Sequence, residues 1–173
     1  MDRQQRRFPP TDADERTTLL AYLDYHRDTL RIKTAGLDAA QLDIPHPPSE
    51  LTLGGLLKHL AYVENWWFRS VMAGHTDEPW ASVDWAADED WDWHSATNDT
   101  PAQLRDLFDA EVARADAVIA AYESLDAVAV RPNRRTGGYY NLRWIVLHMI
   151  EEYARHNGHA DLIRQAVDGA VGE

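Results

Sequence analysis

The stretch "LRWIVLHMIEEYARHNGHADLIRQAV", residues 142–167, reads as one long amphipathic helix entered from Asn141. Inside it, "HMIEEYARHNGH" (148–159) gathers three histidines and two glutamates. Glu152, His156 and His159 stand at i, i+4 and i+7 and project from one face, with His148 one turn before Glu152. Imidazole and carboxylate together suit a divalent metal such as zinc. The same residues also suit a solvated helix face, or core histidines satisfied by backbone carbonyls. Glu152 is not adjacent to His148, so the HExxH signature of zinc proteases is absent.

Reading outward from this helix, "RPNRRTGGYY" (131–140) breaks the chain, because Pro132 lacks a donor and the glycine pair favours a turn. Before it, Thr100, Pro101 and Gln103 supply a cap, an N1 proline and a box partner for a helix running to about Ser124. Leu104, Leu107, Phe108, Val112 and Ala115 would face inward. Thr52 caps a further helix closed by Gly74, with Leu53, Leu56, Leu57, Leu60, Trp67 and Val71 as its apolar stripe. The first helix is expected over 12–36, with Asp12 and Glu15 as a capping box and Leu19, Leu23, His26 and Leu30 at helical spacing. Only "AVAV" at 127–130 hints at a strand. The expected fold is therefore all-α, a four-helix bundle with long connecting loops and room for a crossover. A flexible arm over 1–10 precedes a single domain over 11–173.

The charge balance, 29 acidic against 17 basic side chains for a net −12, argues against a nucleic-acid partner. No cysteine is present, which excludes disulfides, thiolate ligands and a cysteine nucleophile. No apolar run approaches the roughly 18 residues that span a membrane, so no membrane partner and a cytoplasmic location are expected.

A metal site in a bundle core needs ligands from a facing helix, and His59, beside the inward Leu60, is the candidate. Three protein ligands would leave positions open to water or substrate. Glu64 is offset by about 140 degrees from His59 on a helix of about 3.6 residues per turn and reads as structural. Glu151 points away from the Glu152 face.

Together, "GLLKHLAYVENWWF" (55–68) and "RWIVLHMIEEYARHNGHADLIR" (143–164) resemble the DinB-like superfamily, in a bacterial branch long labelled a domain of unknown function. The resemblance implies a four-helix bundle with one metal between the second and fourth helices. The usual pattern is one histidine in the second helix and H-x-x-x-H in the fourth, followed closely by a glycine. His59 and His156 match, with Gly158 as that glycine, and Glu152 falls where most members have the first histidine of the pair. The mycothiol-dependent maleylpyruvate isomerases resemble this chain in using His, Glu and His. The resemblance thus implies His59, Glu152 and His156 as metal ligands, with zinc the expected metal, and it also implies a homodimer.

Related members include S-transferases that use mycothiol or bacillithiol. The expected function is accordingly a metal-dependent thiol S-transferase, acting on small electrophiles or xenobiotics in detoxification, with mycothiol as co-substrate. His159, Arg143, Arg155 and Trp66 are the candidate substrate contacts, although the arginines also suit surface ion pairs. No catalytic residue is expected beyond the metal site. Trp80, Trp85, Trp91 and Trp93 could line a substrate wall or anchor the acidic loop 75–99 to the helices. Arg131, Arg134 and Arg135 suit either an anion-binding turn or a solvated loop. Three other readings stay open: a metal-binding stress or sensor protein without turnover, a metal-dependent hydrolase of a small ester or amide, and a metal-free hydrogen-bonded network of the same residues.

Overall fold

The computed structural model describes residues 6–172. Helix α1 spans Glu15–Thr34, and its cap is Asp14, whose carboxylate accepts from the Thr17 amide at 3.0 Å, so the box expected from Asp12 does not form. After a short turn α2 (Ala39–Leu42), Thr52 caps α3, Leu53–Glu64, as expected from its hydroxyl position. The helix then widens into a π-helical stretch over Asn65–Met72, which the sequence did not announce. There the Ala73 amide reaches back five residues to the Phe68 carbonyl at 3.2 Å. Phe68 fills the core, and Trp67 is only partly buried, so the expected apolar stripe is corrected at that point. Gly74 ends the segment with φ +78, a conformation that L side chains rarely adopt.

The acidic tryptophan-rich segment is not a plain loop: it holds 3-10 turns at Trp80–Ser82 and Ser95–Asn98 and a short helix α4, Trp91–His94. Helix α5, Pro101–Ala120, carries the expected Thr100 and Gln103 capping box but ends earlier than Ser124. The chain is mostly helical, in line with the all-α expectation, and Val128–Pro132 (β1), where "AVAV" hinted at a strand, pairs with Tyr139–Asn141 (β2) as a small antiparallel hairpin. Helix α6, Leu142–Asp168, follows directly, with the Asn141 side chain accepting from the Trp144 amide at 2.8 Å. Among the described residues no helix is long and apolar enough to cross a membrane.

The long helices pack α1 against α6 and α3 against α5, and α3 also touches α1 and α6. Leu23, Leu30, Leu56, Leu60, Phe108 and Met149 lie in one continuous core. At its centre, Arg27 (1% exposed) grips Glu64 (0% exposed) through two 2.7 Å hydrogen bonds, and the Tyr153 hydroxyl donates to the same carboxylate at 2.7 Å. Arg27 also reaches Asp116 at 2.8 Å, so one guanidinium joins side chains from α1, α3 and α5, and Tyr153 adds α6. Burial opposes the charge on Arg27, but Glu64 outweighs it and raises the pKa well above its ordinary value. Burial, reinforced by Glu64, raises that of Tyr153. Glu64 is thus fully engaged in structure, as its helical offset from His59 implied.

Of the arm expected over 1–10, residues 1–5 lie outside the described residues. Arg6 donates to Thr29 Oγ1 at 2.7 Å and sits over the Tyr25 ring, and Phe8 packs on that ring at 5.3 Å.

Candidate metal centre

His59 projects from α3, and Glu152 and His156 lie one turn apart on α6. Their ligand atoms all lie within 4.8 Å of one another. His156 is nearly buried at 8% exposure, and His59 and Glu152 are partly open to solvent. The His59 and His156 rings meet edge to face at 4.9 Å.

The spacing of the side chains bears on whether they suit an ion or a hydrogen-bonded network. His156 Nε2 is 3.4 Å from Glu152 Oε2, and His148 Nε2 is 3.5 Å from Glu152 Oε1. Charge-assisted hydrogen bonds close to about 2.7–2.9 Å. Two ligands sharing a tetrahedral ion at bonds of about 2.0–2.1 Å stand roughly 3.3 Å apart. The donor set of two imidazoles and a carboxylate suits a divalent ion in chemistry, and the His156–Glu152 separation matches that of two ligands sharing one. The neighbouring His156 imidazole lowers the Glu152 pKa against the effect of burial, with further lowering from His148 and His59, which favours the ionised carboxylate.

A fourth residue orients the first. Asp92 Oδ2, on α4, lies 2.7 Å from His59 Nδ1, and Asp92 is itself only 3% exposed. With Nδ1 bonded to a carboxylate, His59 would present Nε2 to an ion, the arrangement that commonly fixes the tautomer of metal-binding histidines. Trp93 stacks on the same imidazole at 4.2 Å and 20°. Sequence reading missed Asp92. It lies 33 residues from His59 within "DEDWDWH", where several acids look alike, and nothing local marks which one turns inward.

The tryptophan-rich segment is anchored so that Asp92 and Trp93 can do this. Trp80 Nε1 donates to the buried Glu111 at 3.1 Å, Trp85 stacks on Tyr62 at 4.5 Å, and Lys58 Nζ lies over Trp91 while pairing with Asp99 at 2.5 Å. The rings pack the segment onto α3 and α5, as their anchoring role requires.

The candidate substrate contacts fall in different places. His159 Nδ1 approaches His156 Nδ1 at 3.4 Å, and burial, then His156 and Arg155, hold its pKa below the ordinary value. Trp66 lines a groove that also contains Trp67 and His148. Arg143 is held by Glu15 at 2.8 Å and by Asp126, and Arg155 by Glu151, so both guanidiniums are already engaged by carboxylates. His148 lies against Trp67 at 4.7 Å and stacks on Trp144 at 5.0 Å.

A family model described as mycothiol-S-transferase matches residues 18–169, which covers His59, Asp92, Glu152 and His156. None of the curated proteins matches the chain in sequence.

Proposed function

This chain belongs to the mycothiol S-transferase family of the DinB-like group, and on that premise we propose that it transfers a low-molecular-weight thiol, mycothiol first, to a small electrophile. The observation that carries this reading is the convergence of His59, Glu152 and His156 from two helices onto one point, with their donor atoms within 4.8 Å. In this reading these three residues hold a divalent ion, zinc by donor chemistry, at the meeting of α3 and α6, two elements of what we read as a four-helix bundle. Such an ion supplies a Lewis-acid position at which an incoming thiol loses its proton more readily.

The chain's own residues do the rest. Asp92 keeps His59 in one tautomer and one orientation, and Trp93 covers the face of that ring. The thiol proton passes to solvent, and His159 backs His156, its Nδ1 lying 3.4 Å from His156 Nδ1 on the side of that ring away from the Nε2 that faces Glu152. The sulfur lone pair then forms the bond to carbon, and the leaving group departs with the electrons of its own bond. The chain has no cysteine, so the sulfur comes from the co-substrate. Trp66 faces the substrate side, Arg143 ties α6 to Glu15 of α1, and Arg155 pairs within α6 with Glu151.

The test is conjugation of mycothiol to monobromobimane by metal-loaded protein. Thiol-dependent fluorescence gain that disappears in Glu152→Ala supports the transferase. A loaded protein that leaves every thiol unconjugated but cleaves small esters would move the assignment to metal-dependent hydrolysis.

A further inference from the structure

Beside the candidate metal centre runs a groove of about 590 Å³ between the π-helical stretch, the β-hairpin and the start of α6. Its volume is that of a small-molecule site. The floor is aromatic: Trp67 meets Tyr140 at 5.1 Å and Trp144 at 5.3 Å, and Tyr140 meets Trp144 at 4.5 Å. Trp144 remains 44% exposed, so this cluster presents an uncovered apolar face. Arg131 of β1 and Arg134 and Arg135 of the hairpin turn also line it.

These arginines differ from most others; Arg6, Arg16 and Arg105 also lack a carboxylate but donate to a hydroxyl or to backbone carbonyls. Arg27, Arg31, Arg69, Arg114, Arg143 and Arg164 each pair with a carboxylate. Arg131 bonds only to the His75 carbonyl and the Thr76 hydroxyl, and the Arg134 and Arg135 guanidiniums have no side-chain partner among the described residues. In a chain of net charge −12, uncompensated guanidiniums facing an aromatic floor form a local site for a flat anion. The inner end of the groove is His148, whose Nε2 lies 3.5 Å from Glu152 Oε1.

We propose that this groove binds the electrophile, and that its preferred class is a small aromatic carboxylate, with the ring against Trp67 and Trp144 and the carboxylate on Arg134 and Arg135. The reacting end of the molecule then points past His148 toward the metal centre. The reaction assigned to this ligand rests on the transferase reading, but its binding does not.

Calorimetric titration of the whole protein with 2-naphthoate and with the neutral 2-naphthamide, in the absence of thiol, tests the proposal. The carboxylate should bind about tenfold more tightly, and the preference should vanish in the Arg134→Ala/Arg135→Ala double variant, whose substitutions lie on an exposed turn. Trp144→Ala should weaken both ligands. Equal affinity for the two ligands, or a preference untouched by the double variant, would overturn it. Glu152→Ala, which removes the proposed metal ligand, should retain the preference, so loss of thiol turnover leaves this result readable on its own.

Discussion

Asp92 Oδ2 and His59 Nδ1 lie 2.7 Å apart, joining a helix-borne imidazole to a carboxylate delivered by the tryptophan-rich segment. That contact makes the segment part of the candidate metal centre rather than a cover over it. Asp92→Asn keeps the shape but weakens the bond that fixes the His59 tautomer. The variant should bind zinc about 10- to 100-fold more weakly, with little change in thermal unfolding of the metal-free protein. Competition with a chromophoric chelator reads this directly, and unchanged affinity would remove Asp92 from the site.

Glu64 should behave in the opposite way. Its carboxylate is fully buried against Arg27 and Tyr153. Glu64→Gln would leave the Arg27 charge poorly compensated and cost about 3 kcal/mol or more in denaturant unfolding. Tyr153→Phe removes one hydrogen bond to a charged group, a loss of about 1.5 kcal/mol. Zinc affinity should be the same in both variants. A shift in metal binding without a loss of stability would place Glu64 in the site instead.

Asp77 provides a pH signature away from the metal. It accepts from Arg69 Nε at 2.9 Å and Nη2 at 3.0 Å, and the Arg69 hydrogen bond holds its pKa below the ordinary 3.8. A group depressed in the folded state contributes stability above its unfolded value and loses it as pH falls through the folded value. Asp77→Asn should therefore be less stable than the parent by about 1 kcal/mol at neutral pH. The two should converge as pH falls through the depressed folded pKa of Asp77, where its side chain becomes uncharged. A gap that persists in acid would mean that shape, not charge, sets the contribution.

Gly74 sits at φ +78, and a Cβ there would lie 3.0 Å from Val130 Cγ1 of the hairpin. Gly74→Ala should cost about 1–2 kcal/mol of stability through backbone strain alone. It should also loosen the hairpin that carries the groove arginines, which hydrogen exchange of the β1 amides would register as faster exchange.

What the sequence made readable was local. Thr52, Thr100 with Gln103, and Asn141 bond to amides within three residues of themselves, so their caps follow from short-range chemistry. The helical faces bearing His59, Glu152 and His156 were readable from period alone, but their meeting on one ion was implied by family resemblance. What stayed hidden was long-range. Arg27, flanked by Asp24 and Asp28, looks like one member of a solvated face, yet it is buried because Glu64 lies opposite it 37 residues away. The hairpin was half legible: "AVAV" hinted at β1, but its valines are exposed and its buried residue is the small Ala129, and β2 is only three residues long. The π-helical turn has no residue pattern that distinguishes it from an α-helix, and it is visible only in the backbone bonds.

The central claim is that His59, Glu152 and His156 together hold one ion. Its most direct test is the metal-to-protein ratio of zinc-loaded, dialysed, untagged protein by mass spectrometry, beside His59→Ala, Glu152→Ala and His156→Ala variants checked for folding by circular dichroism. The account predicts about one zinc per parent chain and nearly none in each folded variant. Zinc retained equally by the variants, or no zinc bound by the parent under replete conditions, would contradict it.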